Sequence, residues 1–172
     1  MSIFRILLAP LVAVLVLSRG EAAAWLAAGV FVFGAFTDGL DGYLARRYSG
    51  ASAIGQWLDP LADKILVTTP IVAMSVIGSF PWWATAVIVA REIAVSVLRA
   101  RLGARGIGMP ASRWGKVKTA VQMVLVPLFL LPLGPGADDA ERVVLALAVA
   151  LTLWSGVDYF LKAGRRVEVS GP

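Results

Sequence analysis

Six long apolar stretches, parted by breaks of only a few residues, leave this chain little choice of fold. They run roughly over 3–18, 22–48, 53–78, 81–104, 114–133 and 139–163. A helix that crosses a bilayer needs about 20 mostly apolar residues, so six crossings consume most of the 172 residues. Only short connections remain, and a separate soluble domain does not fit. Apolar residues make up 59% of the chain and charged residues 16%, against about 45–50% and about 25% in soluble domains. Mean hydropathy is +0.80. The pattern predicts an all-α, polytopic membrane protein with six transmembrane helices, 1–172 forming a single membrane domain. Disorder is excluded, because it needs low hydrophobicity and high charge.

The breaks carry punctuation: Ser18-Arg19-Gly20, Ser49-Gly50, Gly78-Ser79-Phe80-Pro81, Gly106-Ile107-Gly108-Met109-Pro110 and Pro132 to Gly136. Asp138 and Asp139 are placed to cap the sixth helix. The opening, with Arg5 before an apolar run to Leu17, has the outline of a signal peptide. Five further apolar segments make it more simply a short first membrane helix.

Lys and Arg placement orients the bundle. One set of ends carries Arg46, Arg47, Arg99, Arg101, Arg105, Arg113, Lys116, Lys118, Lys162, Arg165 and Arg166. The opposite ends carry Arg19 and Arg142, beside Glu21, Asp138, Asp139 and Glu141. The positive-inside rule places the rich side in the cytoplasm, and with six spans both termini lie there. The net charge of +5 is then a topology signal. The basic residues do not interleave with aromatics in one patch, so no nucleic-acid partner is expected. Trp82 and Trp83 read as interfacial anchors.

There is no cysteine and no histidine. Disulfides, Cys/His zinc sites, thiol nucleophiles and imidazole bases are excluded. Acid–base chemistry falls to carboxylates, Lys, Tyr or Arg. A metal would be held by oxygen, which favours hard ions such as Mg2+, Mn2+ or Ca2+.

Four aspartates interrupt the second and third stretches: Asp38, Asp41, Asp59 and Asp63. An ionisable group at membrane depth is costly and points to function. Asp38 and Asp41 are i, i+3; Asp59 and Asp63 are i, i+4; each pair shares a helix face. The turn near Gly50 makes the two helices antiparallel. Asp41 and Asp59 each lie nine residues from Gly50, so the pairs fall at matched depth. Four carboxylates there would repel one another, and divalent cations are their natural partners. Two metals with open positions are a device for displacement at phosphorus. The same faces carry Gly42, Ala45 and Gly55, which leave space for a ligand, and Arg46, a planar fork for a phosphate. A proton or cation relay, with Arg46 and Lys64 as mere counter-ions, is the competing reading. It leaves the small residues unexplained.

Asp38-x-x-Asp41-Gly42-x-x-Ala45-Arg46, eight residues, then Gly55-x-x-x-Asp59-x-x-x-Asp63 resembles the signature of the CDP-alcohol phosphotransferases at all eight fixed positions. The resemblance implies a six-helix membrane enzyme, a homodimer, that moves a substituted phosphate from a CDP-linked lipid to an alcohol and releases CMP. By resemblance Asp38 and Asp59 bridge two ions, Mg2+ or Mn2+. Asp41 completes one site, and Asp63 contacts the other ion and serves as base. Gly42, Arg46 and Ser52 touch the CDP group. Leu58 to Lys64, Ala90-Arg91-Glu92-Ile93 with Leu98-Arg99, Ser112 to Thr119 with Gln122, and Ser155-Gly156-x-Asp158-Tyr159 are similar to the bacterial branch that makes phosphatidylglycerophosphate. That branch implies CDP-diacylglycerol as donor and sn-glycerol 3-phosphate as acceptor, in the plasma membrane, with the active site facing the cytoplasm. Relatives that use inositol phosphate or phosphatidylglycerol share the same core. The family's Asn and Thr before the residue matching Arg5 are missing; only Ser2 stands near that place.

A phosphorylated acceptor must be held beside four carboxylates. Arg91, deep in the fourth stretch, and Arg113, Lys116 and Lys118, at the start of the fifth, are the cations placed to offset that repulsion. Arg91 and Glu92 also read as a plain buried pair, and Lys116 and Lys118 as topology charges. A membrane prenyltransferase is a more distant alternative, since it would need a longer bundle and two separate Asp-rich motifs.

Overall fold

The computed structural model describes residues 2–48, 53–109 and 112–169. Side chains are described outside 2–3, 38–48, 53–61, 63 and 168–169. Six helices follow one another: α1 (Ser2–Leu17), α2 (Glu21–Tyr48), α3 (Ala53–Ile77), α4 (Trp82–Ala104), α5 (Arg113–Leu130) and α6 (Asp138–Val169). A short 3-10 turn, Pro135–Ala137, leads into α6. There is no strand among the described residues.

The helix ends follow from local chemistry. After α3, Gly78 takes a left-handed φ of 84°. Its N–H bonds Ser75 O, and the Ser79 N–H bonds Met74 O. Gly106 repeats the arrangement after α4 at φ 75°, with its N–H on Gly103 O and the Ile107 N–H on Leu102 O. A side chain in that conformation would be strained, which is why glycine ends both helices. The α1–α2 turn instead places Arg19 at φ 56°, and Ser18 Oγ caps Leu15 O at 2.7 Å.

Two expected boundaries move. α5 stops at Leu130 rather than near 133. Pro127 lies inside it, and the Leu131 N–H closes the helix on Pro127 O. α6 runs to Val169, six residues past the expected end. The Asp158–Lys162 ion pair at 2.8 Å and the Arg166 Nη1 bond to Gly108 O at 2.6 Å hold its polar last turns.

α1 packs on α2 and α3, α3 on α4 and α5, α5 on α2 and α6, and α4 on α6. The core between them is Val12, Phe31, Leu66, Ile71, Met74, Ile88, Leu125 and Val126, all essentially fully buried. Ser75 and Thr85 share a buried 2.6 Å hydrogen bond between α3 and α4. Phe80 meets Phe129 edge to face at 4.9 Å. This end of the bundle is closed and apolar. Large apolar side chains also cover the outside, with Leu7 65%, Val14 64% and Phe36 64% exposed. Patches on that scale mark a surface that is not meant for water. By length and composition one stretch of the described residues, Pro135–Val167, is long and apolar enough to cross a membrane. Phe4–Leu17, Glu21–Thr37 and Lys64–Ile77 are shorter apolar helical stretches.

Candidate active site

The opposite end of the bundle is hollow. A cavity of about 390 Å³ lies between α3, α4, α5 and α6. α3 offers it Lys64, Val67 and Thr68, which are i, i+3, i+4 on one face. α4 offers Arg91, Val95 and Arg99, which are i, i+4, i+8, with Glu92 beside them. α5 offers Gly115, Lys118, Thr119 and Gln122, again on one face, with Lys116 at the rim; Tyr159 comes from α6. Among the described residues five cations and one carboxylate line the space, a charge distribution suited to an anion.

The walls are cross-linked by hydrogen bonds. Glu92 Oε1 accepts from Arg91 Nη1 at 2.9 Å and from Lys118 Nζ. Lys64 Nζ donates to Ser96 Oγ, and Ser96 Oγ donates to the Glu92 backbone oxygen. Arg99 Nε donates to Tyr159 Oη at 3.2 Å, its guanidinium carbon 5.9 Å from the ring centroid. Ser112, which precedes α5, donates Oγ to Asp158 Oδ2 at 2.6 Å. Gln122 Nε2 sits 3.5 Å from Thr152 Oγ1 in the buried α5–α6 seam. Gly156 lets α6 approach: a Cβ there would lie 3.4 Å from Arg91 Cγ.

Of the cations expected to meet an acceptor phosphate, Arg91, Lys116 and Lys118 are brought together here. Arg113 is not; it is exposed, a turn further toward the surface, and does not line the cavity. The expected pairing of Arg91 with Glu92 is present, and it belongs to the cavity wall rather than to a separate core contact. Lys64 and Arg99, which the sequence carried in the resembling stretches Leu58 to Lys64 and Leu98-Arg99 without an acceptor role, line the cavity as well. The signal that would have found Arg99 is its eight-residue spacing from Arg91.

Asp38 and Asp41 lie on α2 with Gly42 and Arg46, and Asp59 and Asp63 lie on α3. Their side chains are outside the described residues, and so is Ser52 altogether. The backbone carries each aspartate pair on one continuous helix, and Asp63 immediately precedes the cavity residue Lys64. Oxygen donors in two such pairs suit hard divalent ions such as Mg2+ or Mn2+. Among the described residues no group of three or more His, Cys, Asp or Glu could hold a metal.

A family model described as CDP-alcohol phosphatidyltransferase matches residues 1–154. The chain belongs to the CDP-alcohol phosphatidyltransferase family. It is 42% identical over 150 residues to a probable phosphatidylglycerophosphate synthase of Mycobacterium tuberculosis (strain CDC 1551 / Oshkosh), covering 87% of this chain and 70% of that protein. It is 36% identical over 169 residues to the CDP-diacylglycerol–glycerol-3-phosphate 3-phosphatidyltransferase of Salmonella choleraesuis (strain SC-B67), covering 95% of this chain and 92% of the relative. The Escherichia coli (strain K12) enzyme of the same name matches over the same length at the same identity.

Proposed function

We infer that this chain transfers the phosphatidyl group from CDP-diacylglycerol to sn-glycerol 3-phosphate, giving phosphatidylglycerophosphate and CMP in phospholipid synthesis. The observation that carries the reading is the cationic cavity on the α3 end that bears Asp59 and Asp63. A donor held at the aspartates and a phosphate held in the cavity would meet at Asp63.

The whole chain acts as one membrane unit in this reading. Tyr159, beyond the family match, still lines the cavity. Six spans, with both termini and the cavity on the cytoplasmic side of the plasma membrane, agree with the apolar outer surface and the Lys/Arg distribution. CDP-diacylglycerol enters sideways with its acyl chains left in lipid, and the protein works as a homodimer.

Asp38, Asp41, Asp59 and Asp63 would hold two divalent ions, which when bound screen the pyrophosphate and acidify the acceptor hydroxyl. Arg46, Gly42 and Ser52 bind the CDP group. Arg91, Arg99, Lys116 and Lys118 orient the acceptor through its phosphate. The Asp63 carboxylate takes the proton of the acceptor hydroxyl. The alkoxide attacks the lipid-bearing phosphorus, and CMP departs. Holding both reactants in line supplies much of the rate.

The test is CMP release by purified protein given CDP-diacylglycerol, Mg2+ and a panel of alcohols. Glycerol 3-phosphate should be the preferred acceptor, chelation should abolish turnover, and Mg2+ or Mn2+ should restore it. Asp63→Asn should lower kcat by about a hundredfold or more, the low end for a general base. Preference for another alcohol, or full turnover in excess chelator, rejects the corresponding part of the reading.

A further inference from the structure

Two cations from different helices share one carboxylate oxygen at the cavity. Glu92 lies midway along α4 and is 8% exposed. Its Oε1 receives both Arg91 Nη1 and Lys118 Nζ. The Lys118 side chain is 4% exposed and that of Arg91 12%. One cation would neutralise the carboxylate. Here there are two, and the group carries a formal charge of +1 where water is scarce. Removing the carboxylate from such a group leaves cations uncompensated, which is strongly unfavourable. The trio is also anchored from behind, because Ser96 ties the Glu92 backbone to Lys64. Arg91 Nε is buried without a hydrogen-bond partner among the described residues, on a side chain that lines the cavity.

We propose that Glu92 is a positioning residue for the acceptor: it holds Arg91 and Lys118 at the cavity wall with one positive charge unmatched among the described residues, and the acceptor's phosphate supplies negative charge to it. This rests on the phosphate-bearing acceptor inferred above. Glu92 touches no reacting atom. It acts through the two cations, keeping them ordered while the cavity waits, so that little ordering is left for the ligand to impose. A neutral alcohol gains nothing from the arrangement, so Glu92 also sets selectivity for a phosphorylated acceptor.

Two-substrate kinetics in detergent, together with melting curves taken with and without glycerol 3-phosphate, test this. In Glu92→Gln the KM for glycerol 3-phosphate should rise about tenfold or more, the scale of one charge-assisted hydrogen bond. kcat should fall by less than about threefold, and the KM for CDP-diacylglycerol should stay within about twofold, the pattern of lost acceptor binding. The rise in Tm that glycerol 3-phosphate gives the wild type should shrink in step. An unchanged KM and an unchanged Tm rise would overturn the proposal. Where Glu92→Gln alone fails to fold, Lys118→Met and Lys118→Met with Glu92→Gln carry the test, since the double variant removes a cation with its counter-ion. The double variant should have the higher KM by more than about threefold, because Glu92 still holds Arg91 when Lys118 is gone. KM values that agree within about threefold overturn the proposal, since Glu92 would then position nothing at Arg91. A wild type that does not use glycerol 3-phosphate would sink the substrate reading itself, and the positioning role with it.

Discussion

Arg99 and Lys116 differ from the other cavity cations in making no bond to Glu92 or Ser96 among the described residues. Arg91 and Lys118 are engaged by Glu92, and Lys64 by Ser96. Arg99 uses only Nε on Tyr159, and Lys116 makes no ion pair among the described residues. A forked guanidinium held on a ring is pre-organised for phosphate, whereas a rim ammonium is mobile and screened. Arg99→Ala should therefore raise the KM for glycerol 3-phosphate by about 10- to 150-fold, the span of a charge-assisted bond. Lys116→Ala should do so by about tenfold or less. Steady-state kinetics on both variants checks the order, and a larger effect at Lys116 would contradict it. Arg91, Lys116 and Lys118 were legible in the sequence from depth and position. Arg99 and Lys64 stood out only as parts of the resembling stretches, with no acceptor role, because a cation near a helix end looks the same whether it faces solvent or a cavity. Arg113 was grouped with Arg91, Lys116 and Lys118, and its place beside the two lysines hid that it sits a turn further out and does not line the cavity.

The helices themselves were nearly all legible, because apolar runs and Gly/Pro breaks report the same boundaries. The end of α6 was not. Its last turns are polar and rest on Asp158–Lys162 and Arg166–Gly108 contacts, to which an apolar pattern is blind. The close packing of α2 was equally hidden. Gly34 faces both α1 and α3: a Cβ there would lie 3.0 Å from Leu8 Cδ1 and 3.6 Å from both Leu66 δ carbons. Gly34→Leu should wedge these helices apart and cost about 1–3 kcal/mol, as overpacking does. The readout is a lower Tm in detergent. Gly29 has open space where its Cβ would be, so Gly29→Leu should melt near the wild type. Equal melting of the two variants would remove Gly34 from the packing account.

For the whole molecule, orientation was read from charge alone, and the chain offers a clean way to check it. It has no cysteine, so each introduced thiol reports by itself. Arg19, Arg142, Arg105 and Arg165 are all exposed. In intact cells a membrane-impermeant maleimide should label Arg19→Cys and Arg142→Cys. Arg105→Cys and Arg165→Cys should be labelled only after permeabilisation. The reverse pattern would invert the topology and put the cavity outside.

The adjacency of Arg91 and Glu92 has a consequence for how such a chain is made. A lone arginine at the middle of an inserting helix costs about 2.5–3.5 kcal/mol on translocon scales. α4 does not present one. Its arginine has a carboxylate one residue away, 2.9 Å between Nη1 and Oε1, so on the six-span reading proposed above the segment would enter lipid with that charge compensated. Lys118 reaches the same oxygen only when α5 emerges and docks. On that reading assembly would be ordered: the first charge is escorted in, the second is met on arrival, and the cavity gains its full positive charge only once both helices are in place.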